Sequence, residues 1–139
     1  MINTLYLIRG LPGSGKSTYA KNLLNSITSP TILLEADMYH YINNIYNFDP
    51  SRLADAHDWC RTNTNIFLNN GHNVIVANTF VSHVEIDPYI EIANNLKIPY
   101  KIFKCTGEFK SIHNVPEHII ENMKKRWQPI DGEDCIIYK

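Results

Sequence analysis

Cysteine is scarce and unpaired in this chain of 139 residues. Cys60, Cys105 and Cys135 lie far apart and form no C-x-x-C pair. Neither a disulfide framework nor a zinc site is expected, and a reducing, cytoplasmic compartment fits best. No run approaches the ~18 consecutive apolar residues that a membrane span requires. The first residues lack the basic start and long apolar core of a secretory signal. An excess of one charge is also missing: 13 Lys and Arg stand against 14 Asp and Glu, a formal net charge of −1. That excludes a basic field over a broad nucleic-acid surface and leaves open a small, local contact to a nucleic-acid end. Internal repeats and low-complexity tracts are absent too.

What is present is a hydrophobic fraction of 44% with 19% charged residues, enough for one domain with one buried core. The most informative stretch comes first. Thr4-Leu5-Tyr6-Leu7-Ile8-Arg9 reads as a strand and runs into Gly10-Leu11-Pro12-Gly13-Ser14-Gly15-Lys16-Ser17, with a helical pattern directly after it. This is G-x-x-x-x-G-K-[ST] in the strand–loop–helix context that the motif demands. Glycines allow the sharp turns, and the loop N–H groups then point inward as an anion nest. The helix beginning near Gly15 adds its free N–H groups and the positive end of its dipole. From Gly10 to Thr18 the loop is expected to bind ATP: Lys16 reaches the β- and γ-phosphates, and the Ser17 hydroxyl ligates Mg²⁺.

The rest alternates strand and helix. Tyr19, Ala20, Leu23, Leu24 and Ile27 recur at helical spacing, and Ser29-Pro30 ends that helix. Thr31-Ile32-Leu33-Leu34 and Val74-Ile75-Val76-Ala77 are continuous apolar runs, as buried parallel strands require. Between them Leu53, His57, Cys60, Thr64, Phe67 and Leu68 mark a helix, closed by Asn69-Asn70-Gly71. A further helix runs from about Val84 to Leu96, with Pro88 delaying its regular part to Tyr89. Tyr100–Cys105 alternates like a sheet-edge strand; Thr106–Val115 is polar; a last helix opens with Pro116 at its first position and carries Ile119, Ile120, Met123 and Trp127 on one side. The segment Cys135–Tyr138 is either a short added strand or a docking segment. The order specifies a three-layer α/β domain with a four- or five-stranded, mainly parallel sheet.

Right-handed crossovers bring the carboxyl ends of these strands to one rim, where ligands bind in open α/β sheets. Lys16 and Ser17, Asp37 just past the second strand, and Asn78-Thr79 past the third therefore converge. Asp37 has three readings: proton acceptor for a hydroxyl, Mg²⁺ ligand, or helix cap. Asn78 stands where many phosphate-loop proteins place an acid, and either orients the acceptor or ties down a turn. His57 is expected to be a buried, hydrogen-bonded residue. His40 and His113 lie near the rim.

The chain resembles the P-loop kinase domain of polynucleotide kinases, and within that group the AAA-type kinase-like domain of NEDD4-binding proteins and their phage and bacterial relatives. The resemblance is carried by Arg9–Thr18, Asp37-Met38-Tyr39, Ala56-His57-Asp58-Trp59-Cys60, Val76-Ala77-Asn78-Thr79, and His113-Asn114-Val115-Pro116 followed by Met123. It implies a single kinase-type P-loop domain over 1–139, with a lid at about 106–115, a helix at about 116–127 and a tail from 128. It also implies transfer of the γ-phosphate of ATP, with Mg²⁺, to a 5′-hydroxyl of RNA or DNA. Asp37 matches the general base of that family, while His40 and Asn78-Thr79 match its acceptor site. The lid carries Lys110 and His113 where those kinases carry arginine, and lysine is a point charge rather than a fork. Arg126 would supply the missing arginine if the last helix folds over the site. No D-x-D-x-T motif occurs, so only the kinase half of end processing is expected. Two other readings stand beside this one: a small-molecule kinase acting on a nucleoside or sugar, and a non-catalytic ATP-binding module.

Overall fold

A computed structural model describes residues 2–109 and 115–136. In chain order the elements are β1 (Leu5–Arg9), α1 (Lys16–Ser26), β2 (Thr31–Leu34), a 3-10 turn (Ala36–His40), a small hairpin of β3 (Tyr41–Ile42) and β4 (Ile45–Tyr46), a second 3-10 turn (Pro50–Arg52), α2 (Leu53–Asn69), β5 (Asn73–Ala77), α3 (His83–Asn95), β6 (Tyr100–Cys105), α4 (Glu117–Arg126) and β7 (Asp134–Ile136). Five strands form one parallel sheet in the order β2-β5-β1-β6-β7. None of the helices among the described residues is long and apolar enough to cross a membrane.

The apolar runs are explained by coverage on both faces. Leu5, Leu7, Val74 and Val76 point into one cluster with Ala56, Cys60 and Leu68 of α2 and Ile86, Tyr89 and Ala93 of α3. Their neighbours Ile8, Ile75 and Ala77 point the other way, against Ala20, Leu23 and Leu24 of α1. This two-residue alternation, with both sides apolar, is what a sandwiched parallel strand needs.

Three details differ from the sequence reading. The strand Tyr100–Cys105 is not an edge: β7 pairs with its last three residues, Phe103 with Asp134 through Cys105 with Ile136. The partly exposed, alternating look of β6 arises because β7 is short and leaves Tyr100 and Lys101 uncovered. The third helix starts at His83, within one residue of the expected Val84, but it is regular through Pro88 rather than only from Tyr89. The carbonyl that Pro88 cannot serve belongs to Val84, four residues earlier, which lies in solvent. Finally, Pro116 is the cap of α4 and not its first residue, and α4 buries none of its side chains.

One buried cation ties the sheet to the tail. Arg9, the last residue of β1, is 0% exposed. Its Nε and NH2 donate to the Phe80 carbonyl at 3.0 and 2.6 Å, and NH2 also reaches the carbonyls of Val81 and Gln128. Its NH1 donates to both carboxylate oxygens of Glu133, at 3.1 and 3.2 Å, and the guanidinium lies 4.0 Å from the Trp127 ring centroid. Burial pulls the guanidinium below its ordinary pKa, with Glu133 opposing the shift. Removing one member of such a buried set leaves the others uncompensated, at about 3–5 kcal/mol. Arg9→Leu is therefore expected to lower stability by that order in chemical denaturation. A loss below about 1 kcal/mol would show that the set is not integral to the fold.

Candidate active site

The phosphate loop takes the form its sequence demands. Gly13 and Gly15 have φ of 80° and 96°, the left-handed region that glycine enters freely. Gly15 caps α1, and the Tyr19 N–H donates back to its carbonyl. Gly10 is needed for space: a Cβ there would sit 2.3 Å from Ser14 Oγ and 2.9 Å from the Cys105 carbonyl. The Lys16 ammonium rests on the Leu11 carbonyl at 3.2 Å. Burial lowers its pKa, with the carboxylate of Glu35 the largest opposing influence.

The segment after β6 folds back over this loop. Gly107 N–H donates to Ser14 O at 3.0 Å and Phe109 N–H to Gly13 O at 2.6 Å. Between this segment, the loop and α4 lies a cleft of about 580 Å³, lined by Pro12, Lys104, Phe109, Ile120, Lys124 and Trp127 among others. Two buried polar atoms beside it, Ser14 Oγ and Trp127 Nε1, have no hydrogen-bond partner among the described residues. Orphaned buried donors next to an open anion nest are what a nucleotide site presents.

On the opposite flank, past β2, stand two acids. Ser17 Oγ donates to Glu35 Oε1 at 3.0 Å, so the hydroxyl that the motif assigns to Mg²⁺ is already joined to a carboxylate. Glu35 was missed in the sequence. Its signal was position: it is the first residue after Leu34, the end of β2. Asp37 lies one residue further, is exposed, and accepts from the Tyr46 hydroxyl at 3.4 Å. Burial and the Asp37 carboxylate push the Tyr46 phenol up to about 12, so this donor keeps its proton through the neutral range.

The other expected residues divide. Thr79 is half-buried at the rim, with its carbonyl accepting from Gly10 N–H at 3.3 Å. Asn78 is 8% exposed and serves as a clasp: Oδ1 accepts from the Ala36 N–H at 2.9 Å and Nδ2 lies 3.7 Å from Cys60 Sγ. With its amide engaged at both ends, it ties the ends of β5 and β2 together and is not open to an acceptor. His40 is 2% exposed and packs inside a cluster of rings, so it too is not open to an acceptor. Arg126 is exposed, and α4 turns Glu117, Ile120 and Lys124 to the cleft instead, joined there by Trp127 just past its end. That places Arg126 on the far side of the helix, because residues three, four and seven apart share a face. Lys110 and His113 lie outside the described residues. His57 is half-buried, and burial lowers its pKa.

The segment Thr79–Val81 holds an unusual backbone conformation beside the loop. Phe80 has φ of 46°, a conformation that costs a bulky side chain of order 1–3 kcal/mol. Its ring is locked edge-on against Tyr89 at 5.2 Å, and its carbonyl is the one that Arg9 grips twice.

Among the described residues no group of three or more His, Cys, Asp or Glu side chains gathers as a metal cage. The Ser17, Glu35 and Asp37 oxygens still fit Mg²⁺, which keeps several waters and is usually held by one or two carboxylates plus phosphate oxygens.

Comparison with known proteins agrees with this geometry. The chain matches the AAA domain family (AAA_33) over residues 5–130. Human NEDD4-binding protein 2 is 32% identical over 134 residues, covering 89% of this chain. The chain spans 8% of that relative's length. Among solved structures, Chaetomium thermophilum Kti12 in complex with ADP-AlF3 superposes with a TM-score of 0.73 at 15% identity, over 96% of this chain and 89% of that one. A gluconokinase from Sinorhizobium meliloti gives 0.63 at 15% identity, over 97% and 82%. At these identities the likeness shows the fold, which is that of P-loop kinases.

Gly10→Ala is expected to destabilise the protein by about 1–3 kcal/mol through overpacking and to weaken ADP binding in calorimetric titration. Unaltered affinity would mean that Ser14 and the Cys105 carbonyl yield freely.

Proposed function

The chain belongs to the AAA domain family, and from that membership we propose that it is an ATP-dependent kinase whose acceptor is the 5′-hydroxyl of an RNA or DNA end. The observation that carries the reading is the pairing of a phosphate nest with two acids just past β2: Ser17 bonded to Glu35, and Asp37 beyond it. The 5′-hydroxyl acceptor is supported by the sequence resemblance to polynucleotide kinases.

The sheet order supports a division of the reaction between two flanks of the loop. The loop follows the central strand β1. The cleft lies on the β6 side, with apolar Ile120, Trp127 and Phe109 and the cations Lys104 and Lys124, and suits the base and sugar of ATP. The acids lie on the β2 side, where an acceptor approaches. Lys16 neutralises the β- and γ-phosphate oxygens. Ser17 and Glu35 would hold Mg²⁺, which when bound would draw charge from the phosphate oxygens. Asp37 accepts the proton of the acceptor hydroxyl as its oxygen bonds to the γ-phosphorus; the bond from that phosphorus to the β–γ bridging oxygen breaks, and ADP leaves with the electron pair. Tyr46 holds the Asp37 carboxylate in position from its other side.

A second reading, a small-molecule acceptor, is favoured by the net charge of −1, since binding long nucleic acid draws on cationic surface. Transfer of labelled γ-phosphate from ATP separates the two, with 5′-hydroxyl RNA and DNA oligonucleotides, nucleosides and sugars assayed side by side. Label on the oligonucleotide end that disappears in Asp37→Ala is the expected result. Label on a nucleoside or sugar alone overturns the nucleic-acid acceptor, and ATP binding without any transfer overturns the kinase.

Lys16→Ala removes a charge aimed at the transition state and is expected to slow transfer about 10²–10³-fold. Glu35→Gln should raise the Mg²⁺ concentration for half-maximal activity by about tenfold or more, and weaken Mn²⁺ binding in the ADP complex by electron paramagnetic resonance. Equal Mn²⁺ affinity in the variant would remove Glu35 from the metal site.

A further inference from the structure

The β3–β4 hairpin has a construction that the kinase fold does not require of it. It is two residues per strand, pairing Tyr41 with Tyr46 and Ile42 with Ile45 across Asn43 and Asn44, whose φ values of 50° and 67° define a tight hairpin turn. So small a hairpin is marginal alone, and this one is pinned from the root. The Asn47 N–H donates to the His40 carbonyl at 2.8 Å, and the Tyr46 hydroxyl donates to Asp37.

Its rings form a continuous series. Tyr41 lies 5.3 Å from Tyr46, Tyr46 lies 6.4 Å from Phe48 with the planes only 14° apart, and Phe48 stands edge-on at 5.0 Å to His40. The inner member is buried and the outer ones are not: His40 is 2% exposed, Tyr41 44% and Phe48 45%. Aromatic rings held in place from beneath, with much of their surface in water, lose little further freedom when something flat covers them.

We propose that Tyr41 and Phe48 form a stacking platform for an unpaired nucleobase of the acceptor, next to the hydroxyl that Asp37 addresses. The inference rests on the kinase reading and narrows its acceptor to base-bearing molecules. Two observations choose this occupant. The first is continuity: Tyr46 belongs to the ring series and also bonds Asp37, so the platform begins one side chain from the acceptor carboxylate. The second is charge. With 13 basic against 14 acidic residues, the protein has no field with which to grip many phosphates, and stacking is the other main source of affinity for single strands. It is also indifferent to sequence, because every base has a π-face.

The test uses the full chain and two short 5′-hydroxyl oligonucleotides with a 3′ fluorophore, one with an intact first nucleotide and one abasic at that position. Binding is read by fluorescence anisotropy and phosphate transfer in parallel. Loss of the first base is expected to weaken binding to the unmodified protein about tenfold or more, in line with base–aromatic stacking elsewhere. In Phe48→Ala and Tyr41→Ala that penalty should shrink towards unity, in Phe48→Tyr it should persist, and ATP affinity should hold in all three. The salt dependence should be shallow, with a log–log slope of about −1, as for one or two phosphate contacts. Equal binding of intact and abasic strands by the unmodified protein overturns the platform, as does a full penalty in both alanine variants. Base-dependent binding without transfer leaves the platform standing and overturns the kinase reading; transfer that ignores the base does the reverse.

Discussion

The end of β1, the segment after β5 and the tail are held in register by the burial of one positive charge. Arg9 ends the central strand and immediately precedes the phosphate loop, and its five N–H groups are shared among Phe80, Val81, Gln128 and Glu133. A guanidinium can do this because it is planar and presents its donors in a rigid fork, whereas an ammonium in the same place would satisfy fewer partners. Each contact fixes a different wall of the site. Phe80 is kept in a left-handed conformation and positions Thr79, whose carbonyl meets Gly10. Trp127 is stacked on the guanidinium from the cleft side, with the Lys104 ammonium 5.3 Å from its ring centroid. The desolvation cost of placing this charge inside the protein is offset only while all those partners are present.

The sheet order then separates functions in space. A central strand feeding the loop has β5 and β2 on one side and β6 and β7 on the other. Glu35 and Asp37 emerge on the β2 side and the cleft opens on the β6 side, so a phosphate in the nest would face those two carboxylates at one end and a mixed wall of apolar rings, lysines and the acids Glu108 and Glu117 at the other. The Asn78 clasp supports this division. By tying Ala36 to the end of β5, it sets where β2 ends and therefore where Glu35 and Asp37 project.

How much of this was legible in the sequence depends on how far apart the cooperating residues lie. The phosphate loop was readable because its glycines, lysine and serine occupy eight consecutive positions and the geometry follows from their chemistry. The buried strands were readable as apolar runs. The partners of Arg9 were not: they lie 71, 119 and 124 residues away, and nothing local distinguishes a buried arginine from an exposed one at a strand end. His40 and Asn78 look like site residues because polar side chains at a rim usually are. In the folded chain one is packed under aromatic rings and the other is used up by backbone. Glu35 was hidden by the more familiar aspartate two positions on. The inner position of β6 was hidden because its outer neighbour is a strand of three residues near the end of the chain.

The separation of Arg9 from Glu133 has a consequence for the order in which the protein is made. A ribosome delivers β1 and the phosphate loop before Glu133, which follows Arg9 by 124 residues. Domains emerge from synthesis amino end first, yet here the opening strand cannot be buried at its carboxyl end until nearly all of the sheet exists, because its terminal cation has no counter-ion before then. The carboxyl end of β1, and with it the start of the phosphate loop, therefore reaches its final packing only after Glu133 has been made.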